Sequence, residues 1–325
     1  MVQDTPLGEL PELVVLSTRD GGLAAYVAPA RGAELVGLEL VRGDQRHELL
    51  YRGRDFRPAE GWSGRAPILW PATGRNYLEA SGDNPNAPGW SHRGVRYPMS
   101  IHGFARNRPW RVNRIEGSAD QALVSLVLTD DPETRENYPF GFRLQVDYVL
   151  AGATLAVRHT VMAASSNDSP MPFSIGNHIT FRIPLAPGGE AERMTIQTPA
   201  TLRLDMDAAG KPTGQVTPDD RFFTPFPLTA LQPLTVYALG GYAGEPHARL
   251  VDPAGVAVTL SHRFDRTPSG VPVLFNFWGD PAAGFFSPEP WVGKQNSLAS
   301  GDGAILLAPG EQFRWTLTIR VEDTR

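Results

Sequence analysis

The chain has 325 residues, no Cys, and 30 Lys and Arg against 35 Asp and Glu, a formal net charge of −5. Its 33 Gly and 30 Pro exclude a protein of long helices, because these residues destabilise a helix interior by about 1 and about 3 kcal/mol each, and 41% hydrophobic residues exclude a disordered Pro/Gly tract. Zero Cys excludes disulfides, thiolate metal sites and a Cys nucleophile, and a mildly acidic chain without a Lys/Arg cluster is a poor nucleic-acid binder.

Short strands are expected first at residues 13–17, 23–28, 34–41, 110–115 and 123–128. One helix start follows. Asp131 suits an N-cap, Pro132 the first helical position and Glu133 the positive end of the dipole, and Pro139 stops the helix, which spans about 132–137. Over 142–150, Phe142, Leu144, Val146 and Tyr148 alternate with Arg143, Gln145 and Asp147, the period of a half-buried strand. The same period runs through 154–161 and 313–321. Further strands are expected at 173–181, 248–252, 256–262, 271–277 and 304–308. Residues 56–94, 186–193 and 207–232 carry no strand signal and read as long loops of the kind that pack over a site.

Many short strands and turns give an all-β fold, a large antiparallel β-sandwich with one or two short helices. No linker, charge block or repeat divides the sequence, so residues 1–325 read as a single domain. The N-terminus lacks a basic stretch followed by a long apolar run, and no run approaches the ~18 apolar residues of a membrane span. A cytoplasmic protein without a membrane partner is expected. Asn167-Asp168-Ser169 fits a glycosylation sequon and reads as a turn.

Phosphate-loop, nucleophile-elbow and close His-pair metal signatures are absent, so no metal and no cofactor are expected. Four segments stand out. Ala66-Pro-Ile-Leu-Trp-Pro-Ala-Thr-Gly-Arg75 is a stiff loop ending in Arg75, either a solvated turn arginine or a guanidinium held toward a ligand oxygen. His102-Gly-Phe-Ala-Arg106 carries one His beside a Gly that permits close approach. In Met171-Pro-Phe-Ser-Ile-Gly-Asn-His178 a polar triplet interrupts an apolar strand and needs partners. In Phe286-Ser-Pro-Glu289-Pro-Trp291 two prolines bracket a glutamate beside aromatics. Burial there would raise the Glu289 carboxyl toward neutral pH and suit it to base chemistry; the alternative is a turn with an exposed Glu. His159 reads as structural. Trp70, Trp278 and Trp291 read as core before sugar platforms, although aromatics with His, Arg and carboxylates are the usual furnishing of a carbohydrate pocket.

With Tyr138-Pro-Phe-Gly-Phe and Glu289-Pro-Trp-Val-Gly, these segments resemble in order and spacing the aldose 1-epimerase (galactose mutarotase-like) family, over roughly residues 13–321 and nearest to a bacterial branch with HGFAR and EPWxG segments. The resemblance implies a galactose mutarotase-like supersandwich that binds a small-molecule sugar in a cleft on one sheet. It implies Glu289 as general base, His178 as general acid, and Arg75 and His102 as residues that hold sugar oxygens. His178-Ile-Thr-Phe181 departs from the family's H-P-x-F pattern. A substrate-binding Asp in the C-terminal half is also implied, with Asp252 and Asp265 as candidates. The activity implied is α/β anomer interconversion of a free aldohexose without a cofactor. A hexose-6-phosphate 1-epimerase, with Arg65, Arg75, Arg93, Arg96, Arg106 and Arg108 available for the phosphate, and a non-catalytic carbohydrate-binding protein are the alternatives. A glycosidase would need a second flanking carboxylate.

Overall fold

The computed structural model describes residues 12–53, 63–78, 87–208 and 210–323. The first eleven residues, where no leader was expected, and parts of the 56–94 loop lie outside these. The alternating segments pair into two large antiparallel sheets. The nine-stranded sheet takes the long strands Phe142–Ala151, Thr154–Ala163, Val256–Phe264 and Gln312–Asp323 at its centre. Phe142–Ala151, Thr154–Ala163 and Gln312–Asp323 have the buried-every-second-residue pattern that their sequence alternation predicts over most of their length, whereas Val256–Phe264 is buried along most of both faces. The eight-stranded sheet runs, in spatial order, Pro212–Pro218, Leu202–Met206, Tyr237–Gly240, Val273–Asp280, Phe285–Val292, Ile175–Asn177 and Ile68–Leu69, with Phe181–Arg182 also on Phe285–Val292. A four-stranded N-terminal sheet flanks them. Residues from both large sheets share one hydrophobic core. The helix is at Pro132–Asn137, capped by Asp131, whose carboxylate accepts from Thr134 N–H while the Thr134 hydroxyl accepts from Asp131 N–H. A second short helix is Ser297–Ser300.

Four expectations change. The 56–94 stretch, expected to be loop, holds the short strands Ile68–Leu69 and Trp90–His92. The 207–232 stretch contains the strand Pro212–Pro218, an exposed edge strand with Pro and Gly and therefore no apolar alternation. The single strand expected at 173–181 is three pieces. Met171–Phe173 pairs with Ile305–Leu307 in a separate small sheet, and Ile175–Asn177 and Phe181–Arg182 join the eight-stranded one. The segment around Glu289 is no turn. Phe285–Val292 is an interior strand buried along its whole length.

That strand tolerates two prolines because its ladder is broken on one flank. Gly176 opposes Trp291 and Phe181 opposes Phe286, in the same register, with no pairing between them. Pro288 and Pro290, which have no N–H, fall within this gap. On the other flank, Asn276 opposes Glu289, Ala238 opposes Asn276 and Leu204 opposes Ala238. Directly opposed residues share a sheet face, so Leu204, Ala238, Asn276 and Glu289 form a row across four strands. Extending the register through the gap sets His178 opposite Glu289 on the far flank.

Candidate active site

The four singled-out segments meet through packing before they meet through chemistry. The buried Trp70 ring lies against Phe104 at 5.5 Å, Tyr138 at 5.4 Å and Phe142 at 4.3 Å between centroids. Tyr138 then donates its hydroxyl to the Pro172 carbonyl at 2.7 Å. These contacts bring the segments of Arg75, His102 and His178 together, and the Trp291 ring, 5.9 Å from that of His102, adds the segment of Glu289. All four line a single cavity of about 1800 Å³.

The His102 side is fixed by a two-way clasp. His102 N–H donates to Gly74 O at 2.9 Å, and Gly74 N–H donates to His102 Nδ1 at 3.1 Å. The ring proton is therefore on Nε2, which leaves a donor on the other side of the imidazole. Burial, then the neighbouring His178, pushes the His102 imidazolium well below its ordinary range, so the ring is neutral. His102 has a left-handed φ of 67°, and a Cβ on Gly103 would lie 2.2 Å from Trp70 O, so the turn needs glycine there. Arg75 is exposed at the rim, and its guanidinium has no protein partner among the described residues.

His178 hangs in the ladder gap. Its N–H donates to Pro67 O at 3.1 Å, and its carbonyl accepts from Thr180 Oγ1, which also bonds Ser287 across the gap at 2.8 Å. The next residue back, Asn177, is tied to Ala66 O. His178 Nε2 and Glu289 Oε1 are 3.4 Å apart, both buried. The other carboxylate oxygen of Glu289 accepts from Trp291 Nε1 at 3.1 Å. Burial pushes the Glu289 carboxyl well above its usual range, opposed by the Trp291 bond, and burial lowers the His178 imidazolium. Both shifts favour uncharged partners, as expected of two ionisable groups leaving water together.

Sequence reasoning missed other lining residues. Asp252 and Asp265 lie away from the cavity. Asp252 is wholly buried and accepts from the N–H groups of Ala186 and Ala254, and Asp265 pairs with Arg314. Asp205 and Asp207 line it instead, from the Leu202–Met206 strand and its turn. Trp70 is core, whereas Trp278 is half-exposed in the cavity and meets the His178 ring edge-on at 5.5 Å. Asn276 and Trp278 could have been found from period-2 facing once their strand was aligned with Glu289. Of the six arginines considered, Arg65, Arg75 and Arg106 line the cavity, while Arg93 pairs with Asp168 and Arg108 with Asp131 and Glu133. Arg65 is committed to the buried Glu34 at 3.0 Å.

The family profile described as aldose 1-epimerase matches residues 14–320. The chain belongs to the aldose 1-epimerase family. It is 27% identical over 255 residues to the chromosomal LacX protein of Lactococcus lactis subsp. lactis, covering 75% of this chain and 78% of that one. The Slr1438 protein of Synechocystis sp. PCC 6803 superposes with a TM-score of 0.77 at 25% identity, covering 97% and 96% of the two chains. A galactose mutarotase related enzyme from Lactobacillus acidophilus shares the fold, with a TM-score of 0.76 at 20% identity over 96% and 98%. The two sheets are thus the galactose mutarotase-like β-sandwich of this aldose 1-epimerase family. Among its described residues no helix is long and apolar enough to cross a membrane.

Proposed function

We propose that this single-domain protein interconverts the α and β anomers of a free aldohexose, with Glu289 as base and His178 as acid. The observation that carries the reading is the 3.4 Å contact of His178 Nε2 with Glu289 Oε1 in the cavity. Anomer exchange acts on two oxygens bonded to one carbon, the C1 hydroxyl and the ring oxygen. An acid and a base that touch each other can reach both, with the sugar lying over the pair. Glu289 removes the proton from the C1 hydroxyl while His178 delivers one to the ring oxygen. The C1–O5 bond breaks, the aldehyde rotates about C1–C2, and reversal of the steps closes the other face. Proton balance is kept within the pair: its single proton rests on Glu289, passes to His178 across their contact, and the opening step then converts carboxylate and imidazolium back to acid and imidazole. The donor on His102 Nε2 and the guanidinium of Arg75 hold hydroxyls, and the half-exposed Trp278 offers its face to sugar C–H groups.

Polarimetry of freshly dissolved α-glucose and α-galactose tests this. Acceleration is expected, with Glu289→Gln and His178→Asn each losing ~10²-fold or more. Wild-type rates in Glu289→Gln, or sugar binding without acceleration, would overturn it. A phosphorylated hexose is the second reading, favoured by Arg65, Arg75 and Arg106 around one cavity. Five arginines face four carboxyl groups there, and Arg65 is already paired with Glu34, so little positive surplus is left for a dianion. Glucose 6-phosphate assayed beside glucose separates the two.

A further inference from the structure

Asn276 is 1% exposed and lines the cavity beside Glu289, yet neither its amide oxygen nor its amide nitrogen has a hydrogen-bond partner among the described residues. Buried carboxamides are ordinarily satisfied, and leaving one unpaired is costly. Its neighbours explain the lack of a protein partner: the next residue along the row is Ala238, which has no polar side-chain atom, and beyond it is Leu204.

We propose that Asn276 holds the C2 hydroxyl of the sugar and makes the protein selective for aldoses that carry one. The inference rests on the roles given above to Glu289 and His178, and it follows from the order of the row. His178, Glu289 and Asn276 stand side by side across adjacent strands, with Glu289 in the middle. In a pyranose, C1 stands between the ring oxygen and C2. With Glu289 at the C1 hydroxyl and His178 at the ring oxygen, the third position falls on C2. A hydroxyl both donates and accepts, so it can engage the amide oxygen and the amide nitrogen. A sugar lacking that hydroxyl leaves the buried amide unpaired, and sites of this kind reject such analogues strongly.

The test compares glucose with 2-deoxyglucose in mutarotation. Wild type should favour glucose by about 10- to 100-fold in kcat/KM. Asn276→Leu, of similar size and without the amide, should bring that ratio close to one, chiefly by losing rate on glucose. A purely structural Asn276 would lower both sugars alike and keep the ratio. Equal wild-type rates on the two sugars, or an unchanged ratio in Asn276→Leu and in Asn276→Ala, would overturn the assignment. Calorimetric binding of 1,5-anhydroglucitol, which cannot mutarotate, reports on Asn276 apart from turnover. Its Kd should weaken about tenfold in Asn276→Leu. An unchanged Kd also counts against the proposal, whereas a catalytically silent wild type that binds it through Asn276 would refute only the epimerase reading.

Discussion

Glu289 and His178 are moved in opposite directions by the same cause, and this sets the pH range in which they can work. Burial makes the carboxylate and the imidazolium both expensive, so the pair loses its last proton late and gains a second proton reluctantly. Between those limits it carries one proton, which is the stock that ring opening needs. The titrations belong to the pair and not to either residue. The expected kcat/KM profile is level as pH falls through 6.5, where an ordinary histidine would produce a break. A break near 6.5 would show that His178 is not held in the way described. Trp291 tunes the other limit. Its indole N–H opposes the effect of burial at Glu289, through the 3.1 Å bond to Oε2. Trp291→Phe keeps the ring and removes that bond, worth roughly 1.5–3 kcal/mol when it goes to a charged group. Activity should fall about tenfold or more, and the alkaline limb should move upward. A packing role alone would leave the limb in place.

How the strands deliver these side chains was only partly readable beforehand. Strands with one wet face announced themselves by alternation, as Gln312–Asp323 does with Phe313, Trp315, Leu317, Ile319 and Val321 buried. Phe285–Val292 did not, because it is buried on both faces and holds two prolines, features that ordinarily argue against an interior strand. The gap that admits those prolines also frees His178 from a regular ladder, and it forms only when residues more than a hundred positions apart come together. Its upper edge depends on Gly176. A Cβ there would lie 2.8 Å from Trp291 Cδ1 and 2.9 Å from Pro290 O. Gly176 therefore marks close approach of two strands, with no shift of register. Gly176→Ala should cost about 1–3 kcal/mol in urea unfolding and reduce activity more than that loss of folded protein explains, since the displaced backbone carries His178 two residues on. A stable, fully active Gly176→Ala would show that the strand can yield without disturbing the site.

Two buried histidines that take no part in the site pack on Trp315, and one of them joins the two sheets. His262, on the nine-stranded sheet, accepts Trp315 Nε1–H on Nδ1 at 3.1 Å and donates from Nε2 to Leu274 O of the eight-stranded sheet at 3.2 Å. His159, opposite Trp315 on the neighbouring strand of the nine-stranded sheet, stacks on the same ring, 4.4 Å between centroids and 18° from parallel. Sequence position alone identified His159 as structural, but His262 had no comparable context because its partners lie 12 and 53 residues away. Burial lowers both imidazoles to about 3 from an ordinary 6.5. The folded form of each therefore binds fewer protons than the unfolded form between those values, so its contribution to stability is complete above 6.5 and is lost as pH falls toward 3. At 1.36 kcal/mol per unit, each should cost roughly 2 kcal/mol by pH 5. Buried Glu34, Glu48 and Glu289 have raised carboxyl values and run the opposite way, so net stability is a poor readout. The difference between wild type and His159→Phe isolates one histidine, since Phe keeps a ring on Trp315 and cannot titrate. Relative to wild type, His159→Phe should become more stable by roughly 2 kcal/mol as urea unfolding is moved from pH 6.5 to 5. A difference that stays constant over that interval would mean His159 is protonated without penalty, and its stacking on Trp315 would then not require a neutral imidazole.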